Sequence, residues 1–510
     1  MRRRAAIPDL VARLVRALAF CAVLLSFASA GNAEGAFLSE RDPSSGSGQP
    51  IGPLGSLPSG PVDAPPVLES DTPCERIDPT SEESLDGETM VDSPPPTPSV
   101  RLELIGCTRQ TQGWECEQPP VLRFVGVAAS SEDPIVNLYV EFDGMPADCE
   151  GPTCEVPLEP TAEEGSEVMF SFDTISNEAS ELQFALVRVV EADPLEGGAE
   201  AEWRVEILSS QIVDSRIDRC GLAWFALPTL DPPDWLAIPD EVDDLRTSES
   251  YVYLAERLAN LGLAPEGPAS AGGPLASAQS IGLTTSSEPL IEIWQNQFDS
   301  AILDAASTRG LPGHLIKNLF AAESQFWPGS FVEIEEAGLG HLSDPGADAL
   351  LLWSPPFYGE LCPQVLDAEF CRQGYWRLEA EQKAMLRGAV WGMVNADCPD
   401  CAYGLDLAKA ERSVPVFAEG LVASCSQTAQ VVDNTTRNTP GFLSTYEDLW
   451  RFTLANYNAG SGCLSEAMAD TWRLRQPMDW AHVAANLPVG CQGAIEYVSR
   501  VLDEPAEQIP

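Results

Sequence analysis

A single predicted helix places a glutamate where an acid catalyst would be effective. The helix begins at Pro312, since a missing N–H costs nothing at the first helical position, and its apolar residues recur three and four apart. Glu323 continues the row of Ile316 and Phe320, one turn before the predicted helix end near residues 327–328. Partial burial and the negative end of the helix dipole both favour a protonated carboxyl, as glycosidic cleavage requires of its acid. The alternative is a glutamate on the edge of an amphipathic helix that faces water.

The segment around Glu323 is the first of four that follow one another in a characteristic order. Residues 321–328 read Ala-Ala-Glu-Ser-Gln-Phe-Trp-Pro, and residues 338–342, fifteen positions after the glutamate, read Gly-Leu-Gly-His-Leu. Residues 456–460 read Asn-Tyr-Asn-Ala-Gly, and residues 495–502 read Ile-Glu-Tyr-Val-Ser-Arg-Val-Leu. These segments resemble the glutamate–serine helix end, the Gly-Leu-Met-Gln-Leu motif, the Ala-Tyr-Asn-Ala-Gly motif and the closing Tyr-Val helix of the soluble lytic transglycosylase family. The resemblance covers about residues 288–505 and nothing upstream.

The resemblance implies an α-rich, lysozyme-like domain that cleaves peptidoglycan glycan strands. Glu323 would protonate the bond between N-acetylmuramic acid and N-acetylglucosamine, and the substrate's N-acetyl group would stabilise the cationic centre. Glu323 would then take the proton of the muramyl 6-hydroxyl as a 1,6-anhydro ring closes. This chemistry needs one protein carboxyl, and we expect neither a metal nor another cofactor. The substrate-binding residues implied by the resemblance, each with packing alone as the alternative, are Ser324, His341, Tyr457, Asn458 and Tyr497.

The chain departs from the family pattern at three places. Gly340 and His341 replace the usual Met-Gln, and Asn456 replaces the usual Ala. Histidine donates and accepts hydrogen bonds as glutamine does, so we expect the substrate contact to survive, with a group that titrates near neutrality. A long insertion, roughly residues 343–440, separates the second and third motifs. Its aromatic residues favour a local core over a sugar-stacking groove; they are Trp353, Tyr358, Tyr375 and Trp376.

The N-terminus predicts export. Arginines at positions 2–4 precede an apolar run over residues 17–30, which ends in the small-x-small signal Ala28-Ser29-Ala30 and is too short to span a bilayer comfortably. We therefore predict a signal peptide over residues 1–33, removed on secretion to the cell envelope or beyond, and no membrane span afterwards. Residues 34–98, rich in Pro, Ser and acidic side chains, predict a disordered linker.

Between that linker and the helical part, the apolar pattern has a period of two. Val136, Leu138, Val140 and Phe142 alternate with polar residues, and further runs of this kind follow up to residue 215. The pattern predicts a β-sandwich domain over residues 99–215, immunoglobulin-like in architecture. It contains no catalytic cluster; a spacer role is favoured, and binding of wall glycan or a protein ligand is the alternative. Residues 216–287 predict a linker with one short helix.

Charge and cysteine content limit the classes of partner. The net charge of −49 opposes binding to nucleic acid and to anionic lipid surfaces. In an oxidising compartment the cysteines predict disulfides, and the close pairs are Cys107–Cys116, Cys149–Cys154 and Cys362–Cys371. Zinc at Cys398-Pro-Asp-Cys401 is disfavoured, since no second matching pair exists.

Three functions follow from the sequence as competing hypotheses. The leading one is an exported lytic transglycosylase with an anhydro product. The second is hydrolysis of the same bond by water, as in goose-type lysozyme. The third is a non-catalytic wall-binding or scaffold protein in which the sheet domain does the binding.

Overall fold

The computed structural model of this chain describes residues 97–110, 113–176, 178–191, 203–212, 218–263, 288–331 and 335–502. The predicted signal peptide at 1–33, nearly all of the predicted linker at 34–98, and Cys74 lie outside these residues. Within the described residues, no helix combines the length and the apolar character that crossing a bilayer requires.

The N-terminal described part is an antiparallel sheet, and apolar residues at alternate positions of strands such as β3 and β6 bury one face. Its strands are β1 (Ser99–Arg109), β2 (Trp114–Val127), β3 (Ile135–Phe142), β4 (Met145–Glu150), β5 (Thr153–Pro157), β6 (Ser166–Thr174), β7 (Gln183–Glu191) and β8 (Trp203–Leu208). The order is β1-β2-β8-β7-β6-β3-β4, and β5 pairs with β2. The prediction of a strand-rich N-terminal region is confirmed.

The register of the sheet brings apolar residues of neighbouring strands to one core. Leu138 of β3 pairs with Phe172 of β6, and Val140 pairs with Phe170; all four are buried. The alternation in β3 therefore follows from burial of one face only. Two disulfides predicted from sequence, Cys107–Cys116 and Cys149–Cys154, join strands at the edges of this core and are confirmed.

The C-terminal described part is helical. Its helices are α1 (Arg219–Trp224), α2 (Val252–Asn260), α3 (described from 288 to 296), α4 (Asp299–Arg309), α5 (Gly313–Ser324), α6 (Asp344–Trp353), α7 (Pro355–Val365), α8 (Ala368–Cys371), α9 (Ala380–Val394), α10 (Leu407–Thr436), α11 (Tyr446–Ala459), α12 (Ser461–Arg473), α13 (Trp480–Ala485) and α14 (Gly493–Leu502). A two-stranded ribbon, β9 (Ser330–Phe331) with β10 (Glu336–Ala337), follows α5. The prediction of an α-rich C-terminal part is confirmed.

The predicted linker at 216–287 contributes its described residues to the helical core. Trp224 and Leu254 are fully buried there, and the indole Nε1 of Trp224 donates to the carbonyl of Cys425 at 3.1 Å. A disulfide joins Cys220 of α1 to Cys425 of α10 across 205 positions. The helical core therefore begins near residue 220, well before residue 288, because a covalent bond and a buried indole attach this segment to α10.

Helix α10 is the central element of the insertion. It is 30 residues long and packs against α4, α6, α11 and α12. Cys362–Cys371, predicted from spacing, is present in the insertion, together with Cys398–Cys401; Cys463–Cys491 joins α12 to the segment before α14. Tyr358 and Tyr375 are buried, in line with the core role favoured for them, whereas Trp376 is 59% exposed.

Candidate active site

Glu323 lies in the last turn of α5, where the chain reverses. The helix ends at Ser324, earlier than the sequence predicts, because Gln325 and Phe326 adopt left-handed φ values of 49° and 64°. The side chain of Gln325 accepts a hydrogen bond of 2.9 Å from the backbone N–H of Tyr253 and so holds this turn against α2. The Glu323 side chain is 14% exposed, which places its carboxyl at an accessible edge of the core.

Tyr497 fixes one oxygen of that carboxyl. Its hydroxyl donates to Oε1 of Glu323 at 2.5 Å, from the inward face of α14. Burial first, and then the negative charge of Glu323, raise the pKa of Tyr497 well above its usual value. The raised pKa favours the protonated phenol, which is the form that donates this hydrogen bond.

His341 faces the other oxygen of Glu323 and a second carboxyl. Its Nδ1 lies 3.2 Å from Oε2 of Glu323 and 3.3 Å from Oε2 of Glu336. The residue has a φ of 48°, and its ring packs edge-on against Phe331 of β9, with 4.0 Å between ring centroids. The left-handed backbone and this ring contact together direct the imidazole between the two carboxyls.

Glu336 is a site residue that the sequence reasoning missed. It lies on β10, and burial raises the pKa of its carboxyl, with a further rise from the charge of Glu323 and an opposing effect of His341. Because both carboxylate oxygens lie within 3.3 Å of one nitrogen, they are at most twice that distance apart. The acidic pair Glu335-Glu336, one residue ahead of the second motif, was the available signal.

Tyr457 and Ser324 hold the loop of the second motif in place. The hydroxyl of Tyr457 donates to the carbonyl of Gly340 at 2.7 Å, and Oγ of the buried Ser324 donates to the carbonyl of Leu339 at the same distance. Burial, followed by the charges of the two nearby carboxylates, raises the pKa of Tyr457 well above its usual value. The two side chains therefore hold the backbone of the loop that carries His341.

The end of α11 places Asn458 differently from the other predicted residues. The helix ends at Ala459 with Gly460 in a φ of 83°, as the motif's glycine predicts. Asn458 is exposed and lines a cavity of about 360 Å³ that also borders His341 and Tyr457. The structure therefore places His341 and Tyr497 at the carboxyl of Glu323, whereas Asn458 lines the neighbouring cavity.

The structure explains why glycine occupies position 340. A Cβ built on Gly340 would lie 2.6 Å from Cδ1 of Phe417 and 3.0 Å from the hydroxyl of Tyr457. A Cβ on Gly338 would also meet the Phe417 ring, at 2.7 Å from Cζ. Phe417 belongs to α10, so this helix fills the space into which a side chain at position 338 or 340 would extend.

Among the described residues, no group of three or more His, Cys, Asp or Glu side chains is arranged to hold a metal ion. The titratable side chains brought together at this site are two carboxyls, one imidazole and two phenols. Such a set is suited to proton transfer to and from an oxygen of a neutral substrate.

Comparisons of the chain with protein-family models, with curated proteins and with solved structures found no match. The assignment of a function therefore depends on the motif order and on the geometry around Glu323.

Proposed function

We propose that the helical part of this protein is a lysozyme-like domain that cleaves peptidoglycan glycan strands, as an exported lytic transglycosylase with Glu323 as its acid and base. The observation that carries the proposal is the position of the Glu323 carboxyl, which is 14% exposed and contacts Tyr497 through one oxygen and His341 through the other. Residues of the first, second and fourth motifs meet at this carboxyl, and Tyr457 of the third fixes the loop that carries His341.

The two contacts suit Glu323 to both halves of the reaction. In the first half, its proton passes to the glycosidic oxygen as the bond to the muramyl carbon breaks, and the substrate's N-acetyl group stabilises the positive charge. The resulting carboxylate is then stabilised by the hydroxyl of Tyr497, whose raised pKa favours the protonated, donating form. In the second half, the carboxylate takes the proton of the muramyl 6-hydroxyl while that oxygen closes the 1,6-anhydro ring.

Digestion of purified peptidoglycan, followed by mass spectrometry of the fragments, tests the proposal. We expect muropeptides with anhydro ends, each one water lighter than a hydrolysed end. Glu323→Gln should slow their release about a hundredfold to ten-thousandfold, because the general acid is lost. The control is Glu335→Gln, which alters an exposed glutamate next to the site. Intact strands after incubation with the wild-type protein would overturn the proposal.

A second candidate reaction is hydrolysis of the same bond, and Glu336 is the observation in its favour. A second carboxyl with a raised pKa is a candidate base for activating water. Against this, inverting glycosidases hold their carboxyls about 6.5 to 9.5 Å apart to admit that water, and here the two oxygens are closer than most such pairs. If the products of the wild-type protein carry reducing muramic ends and those of Glu336→Gln do not, the hydrolytic reaction is established.

The proposal for the N-terminal sheet is an immunoglobulin-like sandwich that serves as a spacer or binds the wall. Strand β2 pairs with β8 near the beginning of β2 and with β5 near its end. This change of partner along one strand supports a sheet that bends into two layers. Disulfides are typical of exported proteins, and the described residues contain six. Sedimentation with insoluble peptidoglycan tests the third hypothesis, a non-catalytic scaffold. That hypothesis is supported if the protein binds the wall without cleaving it and if Glu323→Gln binds equally well.

A further inference from the structure

Helix α2 lies upstream of the residues that resemble the family, yet its first turn is joined to the turn that follows Glu323. The backbone N–H groups of Tyr253 and Leu254 belong to that first turn, where a helix supplies no partner for them. The side chain of Tyr251, directly before the helix, does not cap them. Instead, Oε1 of Gln325 accepts from both N–H groups, at 2.9 and 3.3 Å. A residue two positions after Glu323 therefore caps α2.

The side chain of Tyr253 is anchored by a second residue of α2. Nε of Arg257, one turn further along the helix, donates to the Tyr253 hydroxyl at 2.8 Å. The guanidinium carbon of Arg257 lies 5.3 Å from the centre of the Trp327 ring, which stacks in turn on Trp294. Tyr253 is thus held at its backbone by Gln325 and at its hydroxyl by Arg257, so its ring is a fixed support at the start of α2.

The ring of Tyr253 supports Phe331, and the ring of Phe331 supports His341. The rings of Tyr253 and Phe331 are stacked, with 5.8 Å between centroids and 26° between planes. Phe331 meets the His341 ring edge-on at 4.0 Å. Stacked and edge-to-face arrangements are the preferred geometries of aromatic pairs. His341 needs such support, because a residue other than glycine keeps a left-handed φ, here 48°, only where its surroundings hold it.

The backbone of Phe331 connects the same support to the second carboxyl of the site. Phe331 of β9 and Glu336 of β10 are directly paired in the two-stranded ribbon. One residue further on, Ala337 and Leu342 exchange backbone hydrogen bonds of 3.2 and 2.9 Å, which closes the loop that carries His341. A displacement of Phe331 would therefore move the carboxyl of Glu336 and the imidazole together.

We propose that Tyr253 is a positioning residue for the site, which fixes the imidazole of His341 through the ring of Phe331. Glu336 is held by the same route. Helix α2 is then a part of the active site, although the sequence predicts it only as one short helix in a linker. The consequence for glycan cleavage rests on the proposed function, whereas the effect on the imidazole does not.

Two substitutions of Tyr253 separate the contribution of its ring from that of its hydroxyl. Tyr253→Phe removes the hydrogen bond to Arg257 and keeps the stacked ring, so the imidazole should stay in place. Tyr253→Leu removes the stacked ring. The matched control is Tyr358→Leu in the insertion, which also removes an aromatic contact, to Tyr375, and a hydroxyl that donates a hydrogen bond.

The direct measurement is the NMR spectrum of the full-length chain with labelled histidine rings. The chain has three histidines, so His314 and His482 serve as internal references for His341. We expect Tyr253→Leu to shift the ring signals of His341, because the neighbouring ring of Phe331 loses its support. Tyr253→Phe and Tyr358→Leu should leave these signals near their wild-type positions. Unchanged His341 signals in Tyr253→Leu overturn the positioning role.

Gln325→Asn is a second variant, which keeps every ring of the series. The side chain is one methylene shorter and should no longer reach the N–H of Tyr253, whereas asparagine tolerates the left-handed φ of 49° at this position. The start of α2 should then be less firmly held, and the His341 signals should move in the same direction as in Tyr253→Leu, by a smaller amount. Shifts in opposite directions overturn the positioning role.

The titration of Glu336 provides a measurement that loss of stability alone would not move. The charge of His341 lowers the pKa of Glu336, so Tyr253→Leu should raise that pKa, whereas Tyr358→Leu should leave it unchanged. Cleavage of peptidoglycan by Tyr253→Leu should be about twofold to tenfold slower than by the wild-type protein, the range that corresponds to one aromatic pair. An equal loss of rate in Tyr358→Leu contradicts the proposal.

Failure of the positioning role is distinguishable from failure of the proposed function. The His341 signals and the Glu336 titration require no cleavage, so both respond even in a protein that leaves peptidoglycan intact. Shifted His341 signals without cleavage by the wild-type protein would keep the positioning role and remove the enzyme. Cleavage by the wild-type protein, with unchanged His341 signals in Tyr253→Leu, would keep the enzyme and remove the positioning role.

Discussion

The hydroxyl of Tyr497 donates a hydrogen bond of 2.5 Å to Oε1 of Glu323, although the two residues are 174 positions apart in the chain. The bond joins the end of α5 to α14, two helices that pack against each other. Burial raises the pKa of Tyr497 well above its usual value, which favours the protonated phenol that donates this bond. The remaining oxygen of Glu323 is directed toward His341.

We expect Tyr497→Phe to lower the rate of glycan cleavage about tenfold to hundredfold. The ring keeps its packing, and the carboxylate loses a hydrogen bond of the kind worth about 1.5 to 3 kcal/mol. Turnover of labelled peptidoglycan and the melting temperature should be measured together. Tyr446→Phe is the control, because it removes a similar bond, to Asp218, away from Glu323. Equal losses of activity in both variants would argue for a general effect on folding.

We expect His341→Ala to raise the pKa of Glu336 further. In the wild-type protein, burial and the charge of Glu323 raise the pKa of Glu336, and the charge of His341 lowers it. Removal of the imidazole leaves only the two effects that raise the pKa. The carboxyl should then titrate at higher pH, which carbon NMR of labelled glutamate can follow. His482→Ala, at the separate His482–Asp479 pair on α13, should leave the Glu336 titration unchanged. A Glu336 titration that moves to lower pH contradicts the arrangement described.

The sequence was sufficient for features that repeat or lie close together in the chain. The period of two in β3 predicted strands, and short spacings predicted the pairs Cys107–Cys116 and Cys362–Cys371. The partner of Cys220 was out of reach, because pairing across 205 positions depends on how the helices pack. Glu336 was missed for a similar reason. It lies in a two-residue strand, too short for any periodic signal, and only the fold of β9 and β10 brings it to His341.

We expect Gly340→Ala to destabilise the protein by about 1 to 3 kcal/mol through overpacking against Phe417. Because the closest contact of the added Cβ is with that ring, Phe417→Leu should recover part of the loss, and a double-mutant cycle in urea should give a favourable coupling. The control is Gly420→Ala on α10, whose added Cβ meets nothing. Strictly additive effects of the two substitutions would show that packing against Phe417 does not account for glycine at position 340.

We expect the stability of the protein to carry a pH dependence that originates at Asp218. Its carboxylate caps α1 through the N–H of Gly221 at 2.8 Å and accepts a hydrogen bond of 2.6 Å from Tyr446, yet burial outweighs both bonds and raises the pKa of Asp218 to about 6. In the unfolded chain the group has its ordinary pKa of 3.8 and loses its proton first as the pH rises. The contribution of Asp218 to the free energy of unfolding is therefore fully present below about pH 4, decreases between about pH 4 and 6, and does not change further above that. The total decrease is at most about 3 kcal/mol.

Asp218→Asn tests this, because asparagine accepts the same capping bond and does not titrate. Relative to wild type, the variant should gain stability as the pH is raised from 4 to 7, measured by urea unfolding at each pH. The exposed Asp304→Asn provides the control for a surface substitution of the same type. A difference between Asp218→Asn and wild type that stays constant over this range would show that Asp218 has the same affinity for its proton in the folded and unfolded chains.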